Sequence, residues 1–142
     1  MTFRQSVETC LRQKYFFAFA GRASRSEFWF FALFVAGVNL LTTGLARALP
    51  GVGEWIALGA SLALLPPNMG VAVRRFHDRG LSGYWLLLPL ALLALRLLGG
   101  GGGQIADLLA LSMTLFYLAI LCLPGQPEAN RYGPPPAKAS EK

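Results

Sequence analysis

The chain of 142 residues holds one histidine, two cysteines and only seven acidic residues, and charged side chains make up 14% of it. A single imidazole cannot form the histidine pair of a zinc centre, and Cys10 and Cys122 have neither CxxC nor metal-ligand spacing. No metal or cofactor is therefore expected, and both thiols are read as packing residues near a reducing compartment. Also lacking is any Asp, Glu, Lys, Arg or His near the midpoint of an apolar run, the kind of group that proton- and ion-coupled carriers place at depth. With 54% hydrophobic residues and no polar stretch long enough for a soluble domain, the net charge of +6 has no folded soluble face on which to bind nucleic acid.

What the chain does have is four apolar runs, Phe28 to Leu49, Trp55 to Val73, Tyr84 to Leu98 and Ile105 to Leu123. A bilayer's hydrocarbon core takes about 20 apolar residues of helix, so the expected fold is all-α and polytopic, four transmembrane helices arranged as two hairpins. If each run crosses once with both termini in the cytoplasm, eleven of the thirteen Lys and Arg residues share the inner side, and only Arg47 and Arg96 face out. Short loops rich in Lys and Arg stay inside, so this asymmetry sets the orientation and points to the inner membrane. The partition is then 1–21 as an amphipathic interfacial segment, 22–126 as the transmembrane domain and 127–142 as a cytoplasmic tail, extended and mobile at its end. Because the first twenty residues contain no continuous apolar core, the first span is expected to serve as the insertion signal. The stripe Val7, Cys10, Leu11, Tyr15, Ala18 and Phe19 predicts a helix lying in the headgroup layer.

Within the spans the polar groups are mild. Asn39 and Asn68 read as interhelical hydrogen bonders, Gly59 and Ala63 as a small pair admitting a close backbone, and Pro66-Pro67 as a kink whose freed carbonyl Asn68 satisfies. Outside, Gly99 to Gly103 is a flexible connection, and loose pairs are expected between Arg47 and Glu54 and between Arg96 and Asp107. Ser26-Glu27-Phe28-Trp29 and Ser82-Gly83-Tyr84-Trp85 each open an apolar run, and Pro66 and Pro124 follow at similar offsets. A parallel duplication of a two-helix unit accounts for this, as do recurring aromatic belts and proline breaks alone.

The ordered polar residues gather at the cytoplasmic side in three stretches. Arg22, Ser24, Arg25 and Glu27 precede the first span; Arg74, Arg75, His77, Asp78, Arg79 and Ser82 join the second to the third; Asn130, Arg131 and Tyr132 follow the fourth. The arginine-serine-aromatic lead-in, the Arg-Arg-x-His-Asp-x-Gly-x-Ser-Gly stretch and the Asn-Arg-Tyr-Gly tail resemble the bacterial inner-membrane proteins grouped as domain of unknown function 805, from about Phe16 to Pro136. That resemblance implies a small polytopic protein of the cytoplasmic membrane and brings no established activity, cofactor or catalytic residue.

Ser24 and Glu27 have the spacing of a capping box. Phe28, Trp29, Tyr84 and Trp85 are expected as interfacial anchors, and Gly80 and Gly83 as turn formers. Asp78 is expected to bridge to Arg22, Arg25, Arg75 or Arg131. Three functions remain open. The favoured one is a non-enzymatic module whose Arg/His/Asp face binds anionic lipid headgroups, a small anion or a partner protein. The others are a small transporter or channel, as a homo-oligomer or with a membrane partner, and a membrane-embedded enzyme using His77, which requires a cavity joining it to Ser24, Ser26 or Ser82 within hydrogen-bond reach.

Overall fold

A computed structural model describes residues 1–12, 16–89, 91, 94 and 104–136. The helices are α1 (Phe3–Leu11), α2 (Arg25–Ala48), α3 (Val52–Asp78) and α4 (Gln104–Cys122), with a 3₁₀ turn at Gly83–Leu86 between the last two. The β pairing among the described residues is a single bridge between Asn130 and Gly133. Lys14, Tyr15, Arg96, Lys138, Lys142, the five-glycine connection and much of the run 84–98 lie outside the described residues.

α2 and α3 are long and apolar enough to cross a membrane. Their 24 and 27 residues give lengths of about 36 and 40 Å, more than the roughly 30 Å of a hydrocarbon core. Their most apolar stretches have mean hydropathies of 1.8 and 1.6, yet only 11% and 22% of those stretches are buried. A core helix of a water-soluble protein would hide such a surface, whereas Leu33, Leu40, Leu41, Trp55, Leu58 and Leu62 all stand exposed. Lipid covers such side chains at no cost. α4 is apolar and exposes Leu108, Leu111, Leu115 and Phe116 in the same way.

Burial is concentrated at one end of the molecule. Cys10, Ala23, Phe28, Phe31, Val71 and Leu121 form one cluster, and Phe76, Tyr117 and Ile120 a second. These residues come from α1, the lead-in and N-terminus of α2, and the C-termini of α3 and α4. At the opposite end α2 and α3 are joined as a hairpin. There Gly51 turns the chain at φ +86°, and a Cβ on Gly53 would sit 2.6 Å from Ala46 Cα and from the Leu45 carbonyl oxygen.

Several expectations change here. The close backbone approach falls at Gly53, while Gly59 has open space where its Cβ would be. α3 runs continuously through Pro66 and Pro67 to Asp78, so Arg74 to Asp78 are helical and not part of a loop. Neither Asn39 nor Asn68 makes a side-chain hydrogen bond, and Arg47 makes no ion pair with Glu54, among the described residues. The prolines matched in the repeat have different roles, Pro66 inside α3 and Pro124 beyond the end of α4. Phe28 is 8% exposed and belongs to the core, unlike Trp29, Tyr84 and Trp85, which stay exposed.

The N-terminal helix also differs. It stops at Leu11 and buries Ser6 and Cys10, while Leu11 is exposed. Thr2 and Gln5 form a capping box, each side chain accepting from the other's amide, a T-x-x-Q signal present in the sequence. Phe3 meets Phe30 of α2 edge to face at 6.2 Å, so α1 docks on α2.

Gly53→Ala should lower the stability of the detergent-solubilised protein by about 1–3 kcal/mol, because the added methyl meets backbone that cannot rotate away. Gly59→Ala, with open space at that position, should change stability by less than about 0.5 kcal/mol. Thermal unfolding followed by circular dichroism reads both.

Candidate functional site

A helix leaves its last four carbonyls without intrahelical donors, and two helices end side by side at the packed end. The carbonyls of α3 are met by backbone and tail. Ala23 N donates to Arg74 O at 3.0 Å, Leu81 N to Phe76 O at 3.0 Å, Gly80 N to His77 O at 2.9 Å and Gln126 N to Asp78 O at 2.9 Å. Gly80 makes this possible by taking φ +74° just past the helix. α4 is closed differently. Arg75, fully buried, donates from Nε to Leu121 O at 3.2 Å and from Nη2 to Leu123 O, and Arg79 donates to Pro124 O. An arginine on one helix thus caps the next.

Guanidinium groups at that depth need counter-charge. Asp78, 3% exposed, accepts from Arg22 Nε at 2.9 Å and from Arg75 Nη1. Glu27, 5% exposed, accepts from Arg74 Nη1 at 2.7 Å, and Arg74 Nη2 lies 3.8 Å from Cys10 Sγ. The capping box expected of Ser24 and Glu27 is therefore half made. Ser24 Oγ accepts the Glu27 amide at 3.2 Å, but the glutamate turns toward Arg74, where a buried charge has more to gain. Burial pushes the Cys10 thiol up to about 11, the charge on Glu27 adding to the effect, so at neutral pH it stays a protonated packing group.

The tail is threaded into the same network. Arg22 donates to the carbonyls of Gln126, Glu128 (2.7 Å) and Gly133 (3.4 Å). Asn130 Nδ2 donates to His77 O at 2.9 Å and to Gln126 Oε1 at 2.8 Å, while its Oδ1 accepts from Tyr132 N at 2.9 Å. The resulting turn, closed by the Asn130–Gly133 bridge, lays the Tyr132 ring on the His77 ring at 3.7 Å and 4°. Arg131 remains exposed, with its guanidinium 4.8 Å from the Tyr132 centroid and one bond to Gly80 O at 3.3 Å.

His77 lies one turn beyond Val73, outside the expected span. Its Nδ1 donates to Gly21 O at 3.1 Å. Asp78 points elsewhere, as adjacent helical residues must. Ser82 Oγ accepts the Tyr84 amide at 3.3 Å and Ser24 Oγ meets Ser26 Oγ at 3.1 Å, and among the described residues no hydrogen bond joins any of these serines to His77. His77 and Ser82 share a cavity without being bonded across it.

The structure thus brings Arg22, Arg74, Arg75, Glu27, Asp78, His77, Asn130 and Tyr132 into one bonded unit, with Arg79 and Ser82 at its margin. Arg25 and Arg131 stay on the surface. Sequence reasoning missed Gly21, Ala23, Gly125 and Gln126, whose contributions are mostly backbone. Gly125 leaves room for Asp78, since a Cβ there would overlap the carboxylate. The Pro-Gly-Gln-Pro punctuation at 124–127 is the one visible signal of a tight turn at that spot.

Long exposed apolar helices gathered at one end by buried arginines and carboxylates define a small helical membrane protein. The chain belongs to the family described as protein of unknown function (DUF805), whose model matches residues 16–134. It is 35% identical over 75 residues to inner membrane protein YhaI of Escherichia coli K12, covering 53% of this chain and 64% of that one. It is 36% identical over 77 residues to uncharacterized protein YiiR of the same organism, covering 54% and 51%. The match to inner membrane protein YhaH is 28% over 131 residues, 87% of this chain and 90% of the relative. The chain thus spans less than two thirds of YhaI and about half of YiiR. No solved structure matches.

Asp78→Ala should destabilise the protein by about 3–5 kcal/mol, because it strands two buried cations, and should expose the segment 124–133 to protease. Arg131→Ala, at the exposed surface, should cost less than about 0.5 kcal/mol. Thermal unfolding and limited proteolysis in detergent check both.

Proposed function

We propose that the chain is a four-span protein of the bacterial inner membrane with both termini in the cytosol, and that its cytosolic end is a non-enzymatic site for an anionic, phosphate-bearing headgroup. The charge asymmetry of the loops supports the orientation. The observation that carries the binding reading is a cleft of about 840 Å³ lined by Arg22, Arg25, Arg74 and Arg75 against only two carboxylates, Glu27 and Asp78. Both carboxylates are already held in ion pairs, and among the described residues Arg25 has no ion-pair partner beside Ser24 and Ser26.

That corner is also the N-terminus of the 24-residue α2, whose first amides and dipole favour an anion. An arginine near an anionic leaflet adds about 1 kcal/mol of attraction, so a headgroup phosphate is drawn to the corner that membrane insertion places beside it. The buried arginines hold the cleft open and in shape, and Arg25 with Ser26 makes the contact. Catalysis by His77 has less support, because among the described residues no serine hydroxyl is hydrogen-bonded to it.

Native mass spectrometry of the full chain, released from detergent with equal phosphatidylglycerol and phosphatidylcholine, tests this. The wild type should retain phosphatidylglycerol preferentially. The Arg25→Gln/Ser26→Ala variant should lose that preference while unfolding at the same temperature. Equal retention of the two lipids by the wild type, or an unchanged preference in the variant, contradicts the reading.

A further inference from the structure

A second cavity, of about 490 Å³, shares no lining residue with the arginine cleft. Its size is within the range of about 300–1,000 Å³ typical of small-molecule sites. Along α3 it is bounded by Met69, Val73 and His77, at steps of four residues, and from the 3₁₀ turn and the residue after it by Leu86 and Leu87. Two turns of helix take that wall about 12 Å, from the apolar interior of the expected span to its surface end. At the surface end the lining turns polar, with His77, Ser82 and Tyr132, and no charged side chain takes part.

His77 is 8% exposed, and it lines this cavity. Since Nδ1 gives its proton to Gly21 O, the neutral ring carries a lone pair on Nε2, and Nε2 has no hydrogen-bond partner among the described residues. An acceptor on a side chain only 8% exposed, opening onto a mostly apolar cavity, is placed to take a donor from a ligand. The Tyr132 stack and the Gly21 bond hold the ring in place, so that acceptor is preorganised. A pocket apolar toward the membrane, polar toward the surface and without charge fits an uncharged amphiphile.

We infer that this cavity binds a hydroxylated, uncharged amphiphile of the acylglycerol type, its chain along Met69, Val73, Leu86 and Leu87 and one hydroxyl donating to His77 Nε2. The site is separate from the anion cleft, and an uncharged ligand leaves that cleft out of the measurement.

The test uses the full chain in phosphatidylcholine nanodiscs with two photoreactive probes bearing the same diazirine-labelled acyl chain. One is the monoacylglycerol, and the other is the methyl ester, which has no hydroxyl. Mapped by mass spectrometry, the monoacylglycerol should label the segments containing Met69–Val73 and Leu86–Leu87 about fivefold more than the ester, the effect of one hydrogen bond. His77→Asn keeps a donor for Gly21 but has no Nε2 acceptor, and should bring the two probes to parity. Met69→Trp should fill the apolar end and suppress both labels. Equal labelling by both probes in the wild type overturns the inference without reliance on any variant. Labelling that persists unchanged in both variants overturns it as well.

Discussion

A carboxylate sealed away from water must be neutralised, and in this protein Asp78 is neutralised by arginines from two places in the chain, Arg22 before α2 and Arg75 on its own helix. Each arginine then has donors left over, and they go to backbone carbonyls at the end of α4 and in the segment after it. One carboxylate therefore fixes the position of three chain segments remote in sequence. Such a pair adds little net stability over a well-packed apolar substitute, but losing one partner is expensive. The arrangement specifies which segments meet more than how tightly they hold.

That device suits a protein with little ordinary core. Away from the packed end, α2 and α3 present leucine and tryptophan to their surroundings, and in lipid such surfaces gain little by associating with one another. Helix association then depends on close backbone approach, as at Gly53 against α2, and on polar groups at the helix ends. The chain uses both, one at each end of the hairpin. The polar end has the greater consequence, because it carries two distinct cavities, one lined by Arg22, Arg25, Arg74 and Arg75 and the other mostly apolar with His77, Ser82 and Tyr132 at its polar end.

The membrane character, the helical class and the three polar stretches that meet at one end were legible in the sequence, since hydropathy and the distribution of arginine are local properties. Two of the four partners anticipated for Asp78, Arg22 and Arg75, are the ones it uses. Ser24 was legible as a cap for the same reason. The extension of α3 through Arg74, Arg75, Phe76, His77 and Asp78 was hidden, because five residues with four polar side chains look like a loop unless tertiary partners are known. The folding of Asn130 to Gly133 onto His77 was hidden too, since most acceptors in that docking are backbone carbonyls and every residue carries one. Phe28 looked like a belt residue and proved to be core, the two being indistinguishable from composition alone.

The central claim is that Arg22 and Asp78 act as a unit to join the lead-in segment to the end of α3. A double-mutant cycle on Arg22→Ala and Asp78→Ala, read as unfolding free energy in detergent, addresses it directly. A coupling of at least about 1.5 kcal/mol is expected for a buried, hydrogen-bonded charge pair. Additive losses, with coupling under about 0.3 kcal/mol, would contradict the account.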